Sequence, residues 1–141
     1  MTLSNLITRL EGMTGPDREV DVRLLAVTQP GEWSDADIEY ACSAPERTVR
    51  CPHYTSSLDA AMSLVPEGFA IRDWMIWPGH PSELVLLETR LYEGEYWHSS
   101  PDGRWTAKAA TPVISVCCVA LKAIASLRAR MASDATQEAT E

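Results

Sequence analysis

The segment PHYTSSLDAAMSLVPEG, residues 52–68, decides the fold because it contains, in order, a helix start, a helix stop and the approach to a strand. Ser56 or Ser57 is suited to cap a short helix, since serine hydroxyls accept hydrogen bonds from the free N–H groups of a first turn. Pro66 ends that helix, because proline disfavours helical geometry in the residue before it. From Phe69 the apolar period changes to two, which predicts a strand.

Three further helices are predicted before this segment. Apolar residues recur at helical spacing over 3–13, and Pro16 is suited to the first position of a second helix that ends before Pro30. Ser34 predicts the cap of a short third helix over 35–41. In the helix that follows Ser56 or Ser57, four apolar residues are expected to face inward: Leu58, Ala61, Met62 and Val65.

The second half of the chain predicts a sheet followed by one long helix. Thr111 is suited to cap that helix with Pro112 at its first position. Helices on both sides of a meander indicate an α+β fold, with a single domain over 1–132 and a flexible acidic tail over 133–141. Turn residues such as SPDG separate four antiparallel strands, which are expected to begin at Phe69 and to cover 83–91, 95–99 and 104–109.

Two shorter motifs complete a recognisable pattern. Gly15-Pro16-Asp17-Arg18-Glu19 precedes the central segment, and Ala110-Thr111-Pro112 opens the last helix. Together with residues 52–68 they resemble the phage ABA sandwich domain family, over about residues 6–130. The resemblance implies an α–β–α sandwich with N-terminal helices, a roughly four-stranded antiparallel meander and a long C-terminal helix, and it implies a phage or prophage origin. The family has no settled activity, so the resemblance assigns no chemistry.

Charge and cysteine content limit the partners. Twenty acidic and 12 basic residues give a net charge of −8, which disfavours nonspecific binding to DNA or to an anionic membrane. We therefore expect no specific nucleic-acid partner and no membrane partner. The N-terminus lacks the basic and apolar regions of a signal peptide, so we expect a cytoplasmic protein, in the host cell if phage-encoded. In that reducing compartment all four cysteines are expected to be free thiols: Cys42, Cys51, Cys117 and Cys118.

The sequence does not contain a recognisable catalytic or metal-binding arrangement. Cys42, Cys51 and His53 could supply three metal ligands, but a fourth ligand and the C-x2-C spacing of zinc knuckles are missing. Cys51, His53 and Asp59 lack any signature around a nucleophile. Acidic residues over 35–39 are more typical of a solvated helix face. We therefore expect a protein without catalytic residues, metal or cofactor.

A ligand site is predicted from aromatic and basic residues gathered between Trp33 and Thr55. The aromatic rings there would stack on a planar ring, the arginines would neutralise phosphate, and the histidine and threonine would donate hydrogen bonds. The structural alternative is that Trp33 and Tyr54 close the end of the fold and that hydroxyls near Thr55 only cap a helix. The six candidate residues are Trp33, Arg47, Arg50, His53, Tyr54 and Thr55.

The predicted function is nonenzymatic binding. Phages carry small proteins that sequester nucleotide-derived immune signals of their hosts, and a ring-and-phosphate site is compatible with that role. Because such proteins commonly bind at subunit interfaces, we expect a homo-oligomer. The alternative is an interaction module that binds and inhibits a host or phage protein, for which an acidic surface and exposed aromatic residues suit a basic partner.

Overall fold

The computed structural model describes residues 2–28, 33–44, 51–77, 86–93 and 104–140. Within them the chain forms five helices and a three-stranded antiparallel sheet, which confirms the predicted α+β class. The elements follow in the order α1 (Leu3–Gly12), α2 (Arg18–Thr28), α3 (Asp35–Ser43), α4 (Leu58–Met62), β1 (Phe69–Trp77), β2 (Leu86–Glu93), β3 (Arg104–Ala109) and α5 (Pro112–Thr140).

Local capping sets where three helices begin, as the sequence predicted. Ser34 Oγ accepts from the backbone N of Asp37 at 3.2 Å, and the Asp37 carboxylate accepts from the Ser34 backbone N at 2.9 Å. These two bonds form a capping box, which satisfies N–H groups that a helix start leaves free. The hydroxyls of Ser57 and Thr111 accept in the same way from the backbone N three residues ahead.

The start of α2 differs from the prediction. The helix begins at Arg18, and Pro16 lies outside it. Asp17 Oδ1 accepts from the backbone N of Val20 at 3.2 Å, so the aspartate caps the helix. An aspartate oxygen satisfies a free N–H group of the first turn, whereas proline at the first helical position only removes one such group. Because Asp17 is the cap, the helix begins two residues later than predicted.

The burial predicted for α4 is partly wrong. The helix has only five residues, with Ala61 buried and Leu58 and Met62 exposed by 44% and 42%. The chain leaves the helix before the predicted end at Val65, and Leu64 becomes buried instead. A single turn can bury only a narrow stripe, so apolar spacing alone overestimates the inward face.

The sheet is a meander in the order β1-β2-β3. Neighbouring strands are antiparallel, with an irregularity in β1 between Ile71 and Asp73. β2 pairs directly with β3, from Leu87 opposite Ala109 to Tyr92 opposite Arg104. The strand predicted over 95–99 lies outside the described residues.

Helix α5 forms the centre of the protein. Eight consecutive residues, Ile114–Leu121, are buried, because the helix packs against four other elements, namely β2, β3, α1 and α4. Burial on all sides exceeds the single stripe that the sequence predicted. By length and composition Pro112–Asp134 could cross a membrane, but this buried stretch has the character of a core helix in a soluble protein.

The far end of α5 reaches past the other helices. Arg128 Nη2 donates to the backbone carbonyl of Val27 at 3.0 Å, where α2 ends. A cationic donor there complements the free carbonyls and the negative end of the α2 dipole. The helix then continues to Thr140, so its end does not coincide with the domain boundary predicted at residue 132.

Candidate functional site

A second, smaller apolar cluster lies between α2 and α3, apart from the main core. Its buried members are Val22, Ile38, Ala41 and Cys51. Trp33 is half-buried against this cluster, as is Cys42. The structure thus brings Trp33 to the segment that starts at Cys51, and the indole there contributes to packing.

Tyr54 lies in the main core. Only 4% of the residue is exposed, and Cys117 Sγ donates to its backbone carbonyl at 3.2 Å. Burial raises the pKa of the Tyr54 phenol, although a hydrogen bond with the Thr28 side chain acts in the opposite direction. In this geometry the Tyr54 ring presents no surface on which a ligand could stack.

Thr55 is also buried, and both its backbone N–H group and its hydroxyl form hydrogen bonds. Its backbone N and its Oγ1 both donate to Asp21 Oδ1, at 2.8 and 2.7 Å. The same Oγ1 accepts from the backbone N of Asp17 at 3.0 Å. Its hydroxyl therefore joins two parts of the fold, whereas the cap of α4 is provided by Ser57.

The remaining predicted site residues fall into two groups. His53 is exposed, and its backbone carbonyl accepts from the backbone N of Ser56 and of Ser57 at 3.1 and 2.8 Å. Arg47 and Arg50 lie outside the described residues. Of the six candidates, the structure therefore leaves His53 accessible and Trp33 partly accessible.

Arg18 is a residue that the sequence analysis missed. Its Nη1 donates to the backbone carbonyl of Cys51 at 3.3 Å. Its Nη2 is buried and has no hydrogen-bond partner in the part of the chain that the structure describes. A cation is unfavourable in the first turn of a helix, where the dipole is positive. The position of Arg18 in the first turn of α2 is therefore the signal in the sequence that could have indicated a specific role for this residue.

Burial makes the cysteines poor nucleophiles. It raises the pKa of Cys51 to about 11 and those of Cys117 and Cys118 to about 12, and it also raises the pKa of Cys42. Because the thiolate is the reactive form, these thiols stay protonated near neutral pH. All four are free, as predicted. Among the described residues no group of three or more His, Cys, Asp or Glu could hold a metal.

Acidic side chains at the start of α2 are engaged in ion pairs. Arg9 Nη2 lies 3.1 Å from Asp17 Oδ2 and 3.1 Å from Glu19 Oε2, which ties α1 to α2. Glu19 also pairs with Arg23 at 3.0 Å. The hydrogen bond from Arg9, followed by that from Arg23, holds the pKa of Glu19 below its usual value. These carboxylates therefore have a structural role, because their ion pairs stabilise the packing of α1 and α2.

Helix α3 has the most distinctive exposed surface in this region. It packs on α2 through Ile38 and Ala41, and its opposite side, here called the α3 outer face, is in solvent. Tyr40 lies on that side with 61% of its area exposed. The helix contains three acidic residues and no basic one. The α3 outer face comprises Asp35, Ala36, Asp37, Glu39, Tyr40 and Ser43.

Comparison of the chain with protein-family models, with curated proteins and with solved structures finds no match.

Proposed function

We propose that this chain is a nonenzymatic, phage-type binding protein that holds a host or phage protein. The supporting observation is the exposed ring of Tyr40 on the α3 outer face. Tyrosine is enriched at binding hot spots, because it supplies a large contact area and a hydroxyl with few rotatable bonds. The capping box at Ser34 and the packing of Ile38 fix the helix that presents it.

Charge defines the kind of protein that suits this surface. The whole chain carries a net charge of −8, and α3 adds Asp35, Asp37 and Glu39 around Tyr40 without a compensating base in the helix. Complementary potentials accelerate association and exclude partners of the same sign. A basic protein surface is therefore the expected target.

The burial of Cys51 and the ion pairs of Asp17 and Glu19 support a binding role without catalysis. Cys51, the cysteine closest in sequence to a candidate base at His53, is buried, and burial raises its pKa to about 11. An active nucleophilic cysteine needs the opposite, a lowered pKa and access to substrate. Asp17 and Glu19 are held in ion pairs with Arg9.

The finer architecture is part of the same proposal. An α–β–α sandwich with a four-stranded meander, as in the phage family, is supported by the positions of β1 and β3 and by the long α5. A cytoplasmic location in the infected cell follows from a phage origin.

A second candidate function is sequestration of a nucleotide-derived signal, and a specific observation favours it. Arg18 keeps a buried guanidinium nitrogen without a hydrogen-bond partner among the described residues, near the cluster that includes Trp33. A buried charged donor without an acceptor costs free energy, which a phosphate oxygen could recover. Because the nitrogen is shielded from solvent, a ligand reaches it only by displacing the atoms that cover it.

Site-specific photocrosslinking tests the protein-binding proposal. A photoreactive phenylalanine replaces Tyr40 in one variant and Met62 in a matched control, since Met62 is also exposed but lies on α4. In bacterial lysate the variant at position 40 should capture one protein through a Lys- or Arg-rich peptide, and the control should not. Equal capture at both positions, or none at position 40, would contradict the proposal.

Calorimetric titration with cyclic dinucleotides and ADP-ribose derivatives tests the second candidate. Binding heat should then be present in the wild type, lost in Arg18→Met and kept in Arg23→Met, whose guanidinium pairs with Glu19. Absence of heat with every compound would remove this function.

A further inference from the structure

The protein contains two separate sets of packed apolar side chains, and α3 belongs only to the smaller one. The main core joins α1, α2, α4, α5 and the sheet. Ile38 and Ala41, the two buried residues of α3, lie in the smaller cluster together with Val22 and Cys51. Among the helices and strands that the structure describes, α3 packs chiefly against α2. A few apolar contacts therefore hold this helix in place.

Helix α2 presents different sides to the two clusters. Val20 and Leu24, four residues apart, belong to the main core. Val22 and Ala26, also four residues apart, belong to the smaller cluster. Because residues at this spacing lie on the same side of a helix, the side of α2 that α3 covers also includes Arg18, four residues before Val22.

The Arg18 side chain lies close to both α3 and the segment at Cys51. Its Nη1 donates to the Cys51 carbonyl at 3.3 Å, and its Nη2 is buried. On α3, burial and then the charge of Glu19 raise the pKa of Cys42, whereas the positive charge of Arg18 acts in the opposite direction. The guanidinium is thus near enough to influence a thiol of that helix.

Polar contacts add little to the attachment of α3. The capping box of Ser34 and Asp37 and the bonds of the Ser43 hydroxyl are all internal to the helix and its cap. Among the described residues no hydrogen bond or ion pair joins α3 to another element. The helix can therefore keep its own cap and its hydrogen bonds when it moves away from α2.

This contrast between the clusters has a consequence for local stability. Proteins open in cooperative units, and units with few buried apolar contacts open at a lower free energy than the core does. Helix α5 has eight consecutive buried residues, Ile114–Leu121, whereas α3 has two in nine. Opening of α3 should therefore precede unfolding of the core.

We infer that α3 is a lid on α2, which separates from α2 while the main core stays folded. In the open form the Cys51 thiol and the Nη2 of Arg18 are accessible to solutes. The opening is an equilibrium of the chain alone, so it does not require either function proposed above. It provides the route by which a solute reaches the shielded nitrogen of Arg18.

Thiol alkylation, located by mass spectrometry of peptides, measures the opening at each cysteine. In the native protein Cys51 should be labelled about tenfold or more faster than Cys117 and Cys118, since a difference of about 1.4 kcal/mol in opening free energy is tenfold. Labelling of Cys51 should remain slower than in urea, because the open form is a minority. Equal native rates at the three thiols would overturn the inference.

A matched pair of variants separates opening of the lid from global unfolding. Ile38→Val and Ile114→Val make the same change in the smaller cluster and in the main core. Ile38→Val should accelerate labelling of Cys51 about two- to tenfold, as expected for a lost methylene. Ile114→Val should accelerate labelling of Cys117 and leave Cys51 unchanged. A Cys51 rate that Ile38→Val does not change, or that Ile114→Val raises as much as that of Cys117, overturns the lid.

A dicarbonyl reagent tests the exposure of Arg18, because it condenses with both η nitrogens of a guanidinium. Modification of Arg18 should respond to the two variants as labelling of Cys51 does. The exposed fraction of the side chain does not suffice for this reaction, since Nη2 is buried in the closed form. Modification at a rate that Ile38→Val leaves unchanged would show that the lid does not control access to Arg18.

Hydrogen exchange measures the same opening without a chemical reagent. Amides of α3 should exchange before those over Ile114–Leu121. Low urea concentrations should change the exchange of α3 amides less, because opening α3 exposes less surface than global unfolding does. Exchange of both helices at one rate, with one urea dependence, would show a single cooperative unit and overturn the inference.

Discussion

Asp21 Oδ1 accepts hydrogen bonds from both the backbone N and the Oγ1 of Thr55, 34 residues further along the chain, at 2.8 and 2.7 Å. Both residues are buried. Bonds from two donors to one carboxylate oxygen compensate for its removal from water. The pair therefore joins α2 to the segment before α4 and keeps Thr55 inside the fold.

The first prediction concerns this pair. Thr55→Val keeps the shape of the side chain but removes the hydroxyl, which leaves Asp21 with one fewer donor and the backbone N of Asp17 without its acceptor. The free energy of unfolding should fall by about 1.5–3 kcal/mol, as for a lost hydrogen bond to a charged group. Urea denaturation measures it. Thr55→Ser retains the hydroxyl and should lose less; equal stability of Thr55→Val and the wild type would contradict the structure.

The second prediction concerns acid stability. Hydrogen bonds from Arg9 and Arg23 lower the pKa of Glu19 in the folded state below the ordinary value of a glutamate side chain. The ionised Glu19 therefore stabilises the fold above the unfolded pKa, and this contribution is lost as pH falls through the lower folded pKa. Urea midpoints of the wild type and Glu19→Gln should differ at neutral pH and converge in acid. Arg9→Met should abolish most of the difference. A gap that is constant with pH would contradict the ion pair.

The third prediction concerns thiol reactivity. Because burial raises the pKa of Cys51 to about 11 and those of Cys117 and Cys118 to about 12, a disulfide reagent should modify the native protein slowly at mildly alkaline pH. The four thiols should react fast in urea. A fast native phase that disappears in Cys51→Ser would show an activated cysteine and reopen the catalytic alternative.

The fourth prediction concerns the α3 outer face. Tyr40→Ala should weaken binding of a protein partner by about 2 kcal/mol or more, the loss typical of a hot-spot residue. Because Tyr40 is exposed, the free energy of unfolding of the variant should fall by less than that. Asp59→Asn on α4 is a control, since that carboxylate is exposed but lies on another helix. Binding measured by biolayer interferometry should be unaffected in the control. Equal losses in both variants would contradict a specific role of Tyr40 in binding.

Local features could be predicted from the sequence because their causes are local. Ser34 caps α3 by bonds within four residues, and Thr111 caps α5 in the same way. β3 covers Arg104–Ala109, as its flanking turn and helix cap predicted. The start of α2 was misplaced because Asp17 caps more effectively than Pro16.

Features that depend on distant contacts could not be predicted. Thr55 was interpreted as a ligand donor because its partner, Asp21, is remote in sequence. Tyr54 was interpreted as a stacking surface, but its burial depends on α5 packing over it. The environment of Arg18 likewise could not be predicted, because only the tertiary fold brings its Nη1 to the carbonyl of Cys51 and buries its Nη2.

Native mass spectrometry of the tagged chain isolated gently from bacterial lysate tests the central claim most directly. We expect a second protein bound at integral stoichiometry, lost in Tyr40→Ala and retained in Asp59→Asn. Recovery of the chain alone, as monomer or dimer without any other protein, would contradict the account, and a bound small molecule in place of a protein would transfer the function to the site at Arg18.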